Sequence, residues 1–288
     1  MSSLRDLAVL VRAPAALSVP GDAIAGAAAS GVLGRRTVGL AGASICLYWA
    51  GMAANDWADR EADRIHRPER PIPSGRVSPG VAVGLAAALT AAGLVLAAGA
   101  GGRRSLAVAV PLAAAVWAYD LKLKDTAAGP AGMALCRGLD VLLGASPGRL
   151  RPAVRPALVV AAHTCTVTAL SLREVAGADP RLPATTLVGT AAVAAVAGAP
   201  LRIEPGRARQ ALPVAFALWY AARYGSAQRH ALGKPTADRV RAAVVAGIVA
   251  LPALQGALAA AAGAPLAGTV VAAAGEIGCR LARAVSPT

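Results

Sequence analysis

Charge is scarce in this sequence. Asp, Glu, Lys and Arg make up 15% of 288 residues, against about a quarter in an ordinary soluble domain. Too few charges remain to clothe a water-facing surface. With 56% hydrophobic residues and a positive mean hydropathy, the expected class is an all-α, polytopic membrane protein. An alanine-rich soluble bundle is the alternative.

Lysine is rarer still, at 3 residues beside 26 arginines. The net charge of +14 does not point to nucleic acid. The arginines form no single stripe and fall between apolar runs, where a membrane protein keeps its loop charges. Cysteine is limited to Cys46, Cys136, Cys165 and Cys279, all in apolar stretches and without a CxxC pair. That argues against disulfide and metal roles and for small buried side chains. Aromatics are few. Most Trp and Tyr residues lie near the ends of apolar runs, where interfacial anchoring is the ordinary reading. No clean signal peptide opens the chain, because Arg12 and Pro14 interrupt the first run, so an uncleaved first span is expected. No internal repeat or linker is visible, and residues 1–288 read as one domain.

Long apolar runs are abundant. Candidate spans fall at about 13–33, 37–57, 79–99, 104–121, 128–148, 153–173, 184–201, 208–225, 238–262 and 265–283, each near the 20 residues a bilayer needs. The stretch 208–225 is short and holds Arg223. It reads as an interfacial or broken helix, which would leave nine spans. With the N-terminus inside, 18 Lys and Arg fall on one side and 10 on the other. That bias places 55–75, 120–125 and 173–181 on the cytoplasmic face.

Against this background NDWADREADRIHRPERPIPSG (55–75) stands out. Continued as a helix, Asn55, Asp59, Asp63 and Asp56 fall at about 0°, 40°, 80° and 100° around the axis. Unpaired carboxylates on one face repel one another. A hard divalent cation relieves this, and an all-oxygen set suits Mg²⁺ held partly by substrate phosphates. Arg64, Arg67 and Arg70 offer bidentate contacts to phosphate oxygens. An ordinary solvated loop laced with ion pairs is the plain alternative.

The pattern N-D-x-x-D-x-x-x-D-R followed by R-P-I-P-S-G resembles the first aspartate-rich motif of the UbiA superfamily of intramembrane prenyltransferases. The resemblance implies about nine transmembrane helices around a central cavity. It also implies Mg²⁺-dependent transfer of an isoprenyl group from an isoprenyl diphosphate to an aromatic or other lipophilic acceptor. Asn55, Asp56, Asp59 and Asp63 would hold the metal, and Arg64 and Arg70 the diphosphate. Tyr119-Asp120-Leu121-Lys122-Leu123-Lys124 resembles the family segment that brings cations to the diphosphate. That adds Tyr119, Lys122 and Lys124.

The family's second motif, commonly D-x-x-x-D after the sixth span, is degenerate here. SLREVAGADPRLP (171–183) offers only Glu174 and Asp179, about 140° apart on a helix. They converge as metal ligands only if the helix ends near Gly177. This version, with a C-terminal S-P-T, is similar to the EboC-like branch. A non-catalytic carrier of a lipid diphosphate would also keep the first motif and lose the second.

Arg137 and Asp140 lie within the fifth span. A charge there costs about 2.5–3.5 kcal/mol on insertion scales, so both should face inward. They read either as an ion pair with each other or as part of the cavity lining near diphosphate or acceptor. His163 reads as a satisfied core histidine ahead of a base or acceptor contact, and Glu276 as a partner of Arg280.

Overall fold

The computed structural model describes residues 3–13, 18–200 and 207–285, without the side chains of 207–210 and 276–285. Glu276, Cys279 and Arg280 therefore lie outside the described side chains. Every regular element among the described residues is helical. The helices are α1 (Leu4–Leu10), α2 (Val19–Ala29), α3 (Arg35–Ala58), α4 (Arg60–His66), α5 (Pro79–Ala118), α6 (Gly129–Ala145), α7 (Val154–Ser171), α8 (Arg181–Gly198), α9 (Arg207–Gly233), α10 (Ala237–Ala261) and α11 (Pro265–Val285). A π-turn, Tyr119–Leu123, follows α5, and a short 3₁₀ turn, Arg151–Ala153, precedes α7. Alanine favours this outcome, having the highest helix propensity. In hydrocarbon a helix also satisfies its own backbone groups.

The 40 residues of α5 would measure about 60 Å as one rod, twice the thickness of a hydrocarbon core. They form a hairpin instead. Gly102 breaks the helix at φ 65°, ψ −149°, a conformation open only to glycine. The register against α3 shows the reversal. Gly39 faces Ala100, Gly42 faces Leu96 and Leu47 packs on Gly93, whereas Gly51 faces Val116. The first half of α5 therefore runs antiparallel to α3 and the second half parallel to it. Arg103 and Arg104 are exposed beside the tip. The loops at 59–78 and 119–128 thereby share one end of the molecule.

Five helical stretches are long and apolar enough to cross a membrane, among them Pro79–Leu123, which holds both arms of the hairpin. The expected count of nine spans is not reproduced as a number. In α2 only 11 residues are described as helix. α6 has 17, and α9 carries Arg223, Arg229 and His230. The reading of 208–225 as interfacial or broken is corrected. α9 is continuous through Pro213, and Tyr220, Tyr224 and Gln228 on it are wholly buried.

Two packed groups make up the core. One joins α2, α3, α5 and α6 around Leu40, Leu47, Leu112 and Leu143. The other joins α7 to α10 around Leu170, Tyr220, Tyr224 and Leu254. The α6–α7 and α2–α10 contacts seam them together. His163 hydrogen-bonds Tyr220 at 2.9 Å and is 1% exposed, a satisfied core histidine.

Candidate functional site at the acidic end of the bundle

The acidic face forms because α3 hardly stops. Asp59 interrupts it at φ −84°, ψ −1°, yet the backbone bonds Asp59 N to Asn55 O at 2.9 Å and Asp63 N to Asp59 O at 2.8 Å continue its course into α4. Asp56 and Asp63 are buried, and Asn55 and Asp59 are half-buried. The loop 67–76 then folds back over them. Arg70 donates to Asp63 at 2.6 Å and to Asp56 at 3.3 Å. Ser74 ties this loop by donating to the Arg70 carbonyl at 2.7 Å.

Two further cations complete the cluster. Arg12 donates to Asp56 at 3.0 Å from the end of α1, with its own backbone at φ 47°. Lys124 pairs with Asp59 from the far side of the π-turn. Asn55, with its amide oriented to suit both neighbours, donates to Asp59 at 3.2 Å and accepts from Lys124 at 3.0 Å. The π-turn explains which lysine arrives. The Lys124 N–H reaches back five residues to the Tyr119 carbonyl at 3.0 Å, widening the coil. Lys124 turns inward, while Lys122 stays exposed. Tyr119 is half-buried beneath.

Several anticipated residues lie apart from this cluster. Arg64 pairs with Glu61 at 2.7 Å on the exposed side of α4, and Arg67 is exposed. Glu174 and Asp179 are not on a helix, because α7 already ends at Ser171. The Glu174 carbonyl accepts from Arg241 at 3.3 Å, and Asp179 caps the Arg181 amide at 2.8 Å. Asp179 also lines a cleft of about 720 Å³ with Asp125, Thr126, Arg173 and Leu182. Among the described residues neither acid bonds to Asp56, Asp59 or Asp63.

Arg137 and Asp140 do not pair with each other, which corrects one of their two readings. Arg137 lies 2.8 Å from Asp22 of α2 and over the Tyr48 ring at 5.6 Å. Asp140 accepts from Ser44. Gln255 of α10 donates to Asp22 at 2.7 Å and to the Ser18 carbonyl at 2.8 Å. This buried polar row crosses the seam between the two helix groups.

Arg12, Asp22 and Gln255 were missed in the sequence reading, since their partners lie 44 to 233 residues away. A signal did exist for Asp22, a carboxylate inside an apolar run.

The donor chemistry suits Mg²⁺, being all oxygen: one amide and three carboxylates. Among the described residues no three acids gather tightly enough to hold an ion alone, because Arg12, Arg70 and Lys124 stand between them. A set of this kind fits a metal that arrives with phosphate oxygens of its own.

Residues 17–167 match the model of the UbiA prenyltransferase family. The chain belongs to the UbiA prenyltransferase family. The match takes in the acidic face and the π-turn and stops short of Glu174. Digeranylgeranylglyceryl phosphate synthase of Ignicoccus hospitalis is 41% identical over 93 residues, which are 32% of this chain and 31% of that protein. The chain thus aligns with about a third of that relative's length. In fold, a solved structure of a digeranylgeranylglyceryl phosphate synthase superposes with a TM-score of 0.66 at 18% identity, covering 90% of this chain and 98% of the other. A UbiA homologue from Archaeoglobus fulgidus, bound to DMAPP and Mg²⁺, gives a TM-score of 0.56 at 17% identity over 85% and 99% of the two chains. This member of the UbiA family is an integral membrane protein. Its acidic motif lies where the loops of α3 and α5 meet.

Proposed function

We propose that this chain, as one domain over residues 1–288, transfers an isoprenyl group from an isoprenyl diphosphate to a lipophilic acceptor within the membrane. The mouth of the site faces the cytoplasm. The observation that carries the reading is the meeting of Asn55, Asp56, Asp59 and Asp63 with Arg12, Arg70 and Lys124 at one end of an apolar bundle. Four oxygen donors beside three cations form a receptor for a metal–diphosphate head, and the bundle accepts its hydrocarbon tail.

Mg²⁺ bound with the diphosphate supplies charge neutralisation for the leaving group. Arg12, Arg70 and Lys124 would move from carboxylate to phosphate oxygens, where negative charge grows as the prenyl C–O bond breaks. The carboxylates they release, with Asn55, would hold the metal. Apolar walls keep water from the electron-poor prenyl carbon until the acceptor captures it. Arg137 and Asp140 lie deeper, as candidates for the acceptor side.

The test uses purified protein in detergent with radiolabelled geranylgeranyl and farnesyl diphosphate, with and without Mg²⁺. Binding and diphosphate release should both require Mg²⁺ and should both disappear in Asp59→Ala. The detachment of Glu174 and Asp179 from the first site favours one second reading, a carrier that binds without transfer. Mg²⁺-dependent binding with no release, candidate acceptors present, would establish the carrier. No binding by the wild type would end both readings.

A further inference from the structure

Asp120 lies beside the acidic cluster, on the π-turn that brings in Lys124. It is 7% exposed, and its carboxylate makes no hydrogen bond among the described residues. Its surroundings are electrostatic: Lys124 and Arg12 attract it, and Asp59 and Asp56 repel it. Two local devices put it there. The π-turn turns it inward, a geometry frequent at functional sites. Gly51 on the facing turn of α3 leaves the room. A Cβ at Gly51 would lie 2.5 Å from Asp120 Oδ2 and 2.6 Å from Val116 Cγ1. Asn55 is one turn further along α3 and Asp59 two turns, so the Asp120 carboxylate looks onto the metal-ligand face from the opposite wall.

A carboxylate without a hydrogen-bond partner, shut in beside two others, is costly unless a cation joins them. Around the site stand four carboxylates, Asp56, Asp59, Asp63 and Asp120, and three cations, Arg12, Arg70 and Lys124. The surplus is one negative charge, and it grows when the cations turn to a diphosphate. Neither Glu174 nor Asp179 bonds to a member of the site: the Glu174 contact is through its backbone carbonyl, and Asp179 bonds the nearby Arg181 amide.

We propose that Asp120 is a further ligand of the metal–diphosphate site, supplying from the π-turn the acidic contribution that Glu174 and Asp179 do not make. The proposal rests on the functional reading above. It places the acids that hold the metal on α3, α4 and the α5–α6 connection, and frees the 172–180 loop for another use.

The test is Mn²⁺ titration followed by electron paramagnetic resonance, with Mn²⁺ in place of Mg²⁺ and a non-reactive farnesyl thiodiphosphate present. Asp120→Asn keeps the shape and removes the charge. It should weaken Mn²⁺ binding about 10- to 100-fold, and Asp120→Glu should recover part of it. The Glu174→Gln/Asp179→Asn double variant should bind within about twofold of wild type, since neither acid touches the site. Melting in detergent, measured in parallel, separates misfolding from metal loss. Unchanged Mn²⁺ affinity in Asp120→Asn overturns the assignment, whether or not its melting point falls. So does a large loss in the double variant. If the wild type itself binds no Mn²⁺ with the thiodiphosphate, the functional reading fails first and this one with it.

Discussion

Arg70 holds two buried carboxylates at once, with its own side chain only 18% exposed. Truncation leaves Asp56 with Arg12 alone and Asp63 with no partner. Breaking a buried pair from one side costs about 3–5 kcal/mol. Arg70→Ala should approach the lower end of that range in detergent melts, since the site is not wholly shielded. Arg70→Lys should lose less. At the exposed end of the same loop, Asp6 bonds Ser3 and Arg76. The Ser3 hydroxyl in particular holds the Asp6 carboxyl below its usual range. A depressed pKa stabilises above the unfolded value and the effect disappears as pH falls. The melting difference between wild type and Asp6→Asn should therefore be present at about pH 6 and shrink as pH falls below about 4.

At the scale of the element, Gly102 decides the fold of 40 residues. An alanine there should cost about 1–3 kcal/mol in backbone strain, read as a lower melting temperature. Gly99→Ala, a helical position with open space around its Cβ, should be neutral or slightly stabilising. Elements of this kind were legible in advance. Apolar runs separated by charged connections gave most span limits to within a few residues, although α9 runs on to Gly233, eight residues past the expected end at 225, and the GAGGRR stretch at 99–104 separated two of them. The single face of Asn55, Asp56, Asp59 and Asp63 was legible because helical spacing is local. The π-turn was not, since nothing in YDLKLK distinguishes a five-residue reach from a four-residue one. For that reason the sequence could not say whether Lys122 or Lys124 faces Asp59. The end of α7 at Ser171 lies within two residues of the expected limit at 173, but well before Gly177, where Glu174 and Asp179 would have needed the helix to stop.

Across the whole molecule, the polar row of Asp22, Arg137 and Gln255 joins α2, α6 and α10. Its members come from the two ends and the middle of the chain, so local spacing carried no trace of their meeting. Arg137→Met leaves Asp22 buried beside Gln255 alone and should cost about 3–5 kcal/mol. Asp22→Asn combined with Arg137→Met removes both charges and should recover most of that loss. A double-mutant cycle on detergent melts measures the coupling. Additive losses would mean the two side chains do not depend on each other.

The hairpin of α5 also bears on how the protein reaches its membrane. Its arms pack against each other, Trp117 donating to Thr90 at 3.1 Å, and its tip must cross the bilayer as the hairpin inserts. If the acidic mouth faces the cytoplasm, as proposed, that tip carries Arg103 and Arg104 outward. Moving a unit charge against the membrane potential takes about 2.3 kcal/mol per 100 mV. For two arginines the barrier is about twice that, on top of their dehydration. Insertion of this segment should therefore be one voltage-sensitive step of assembly. Arg103→Gln/Arg104→Gln should raise the yield of inserted protein, and dissipating the membrane potential should erase the difference.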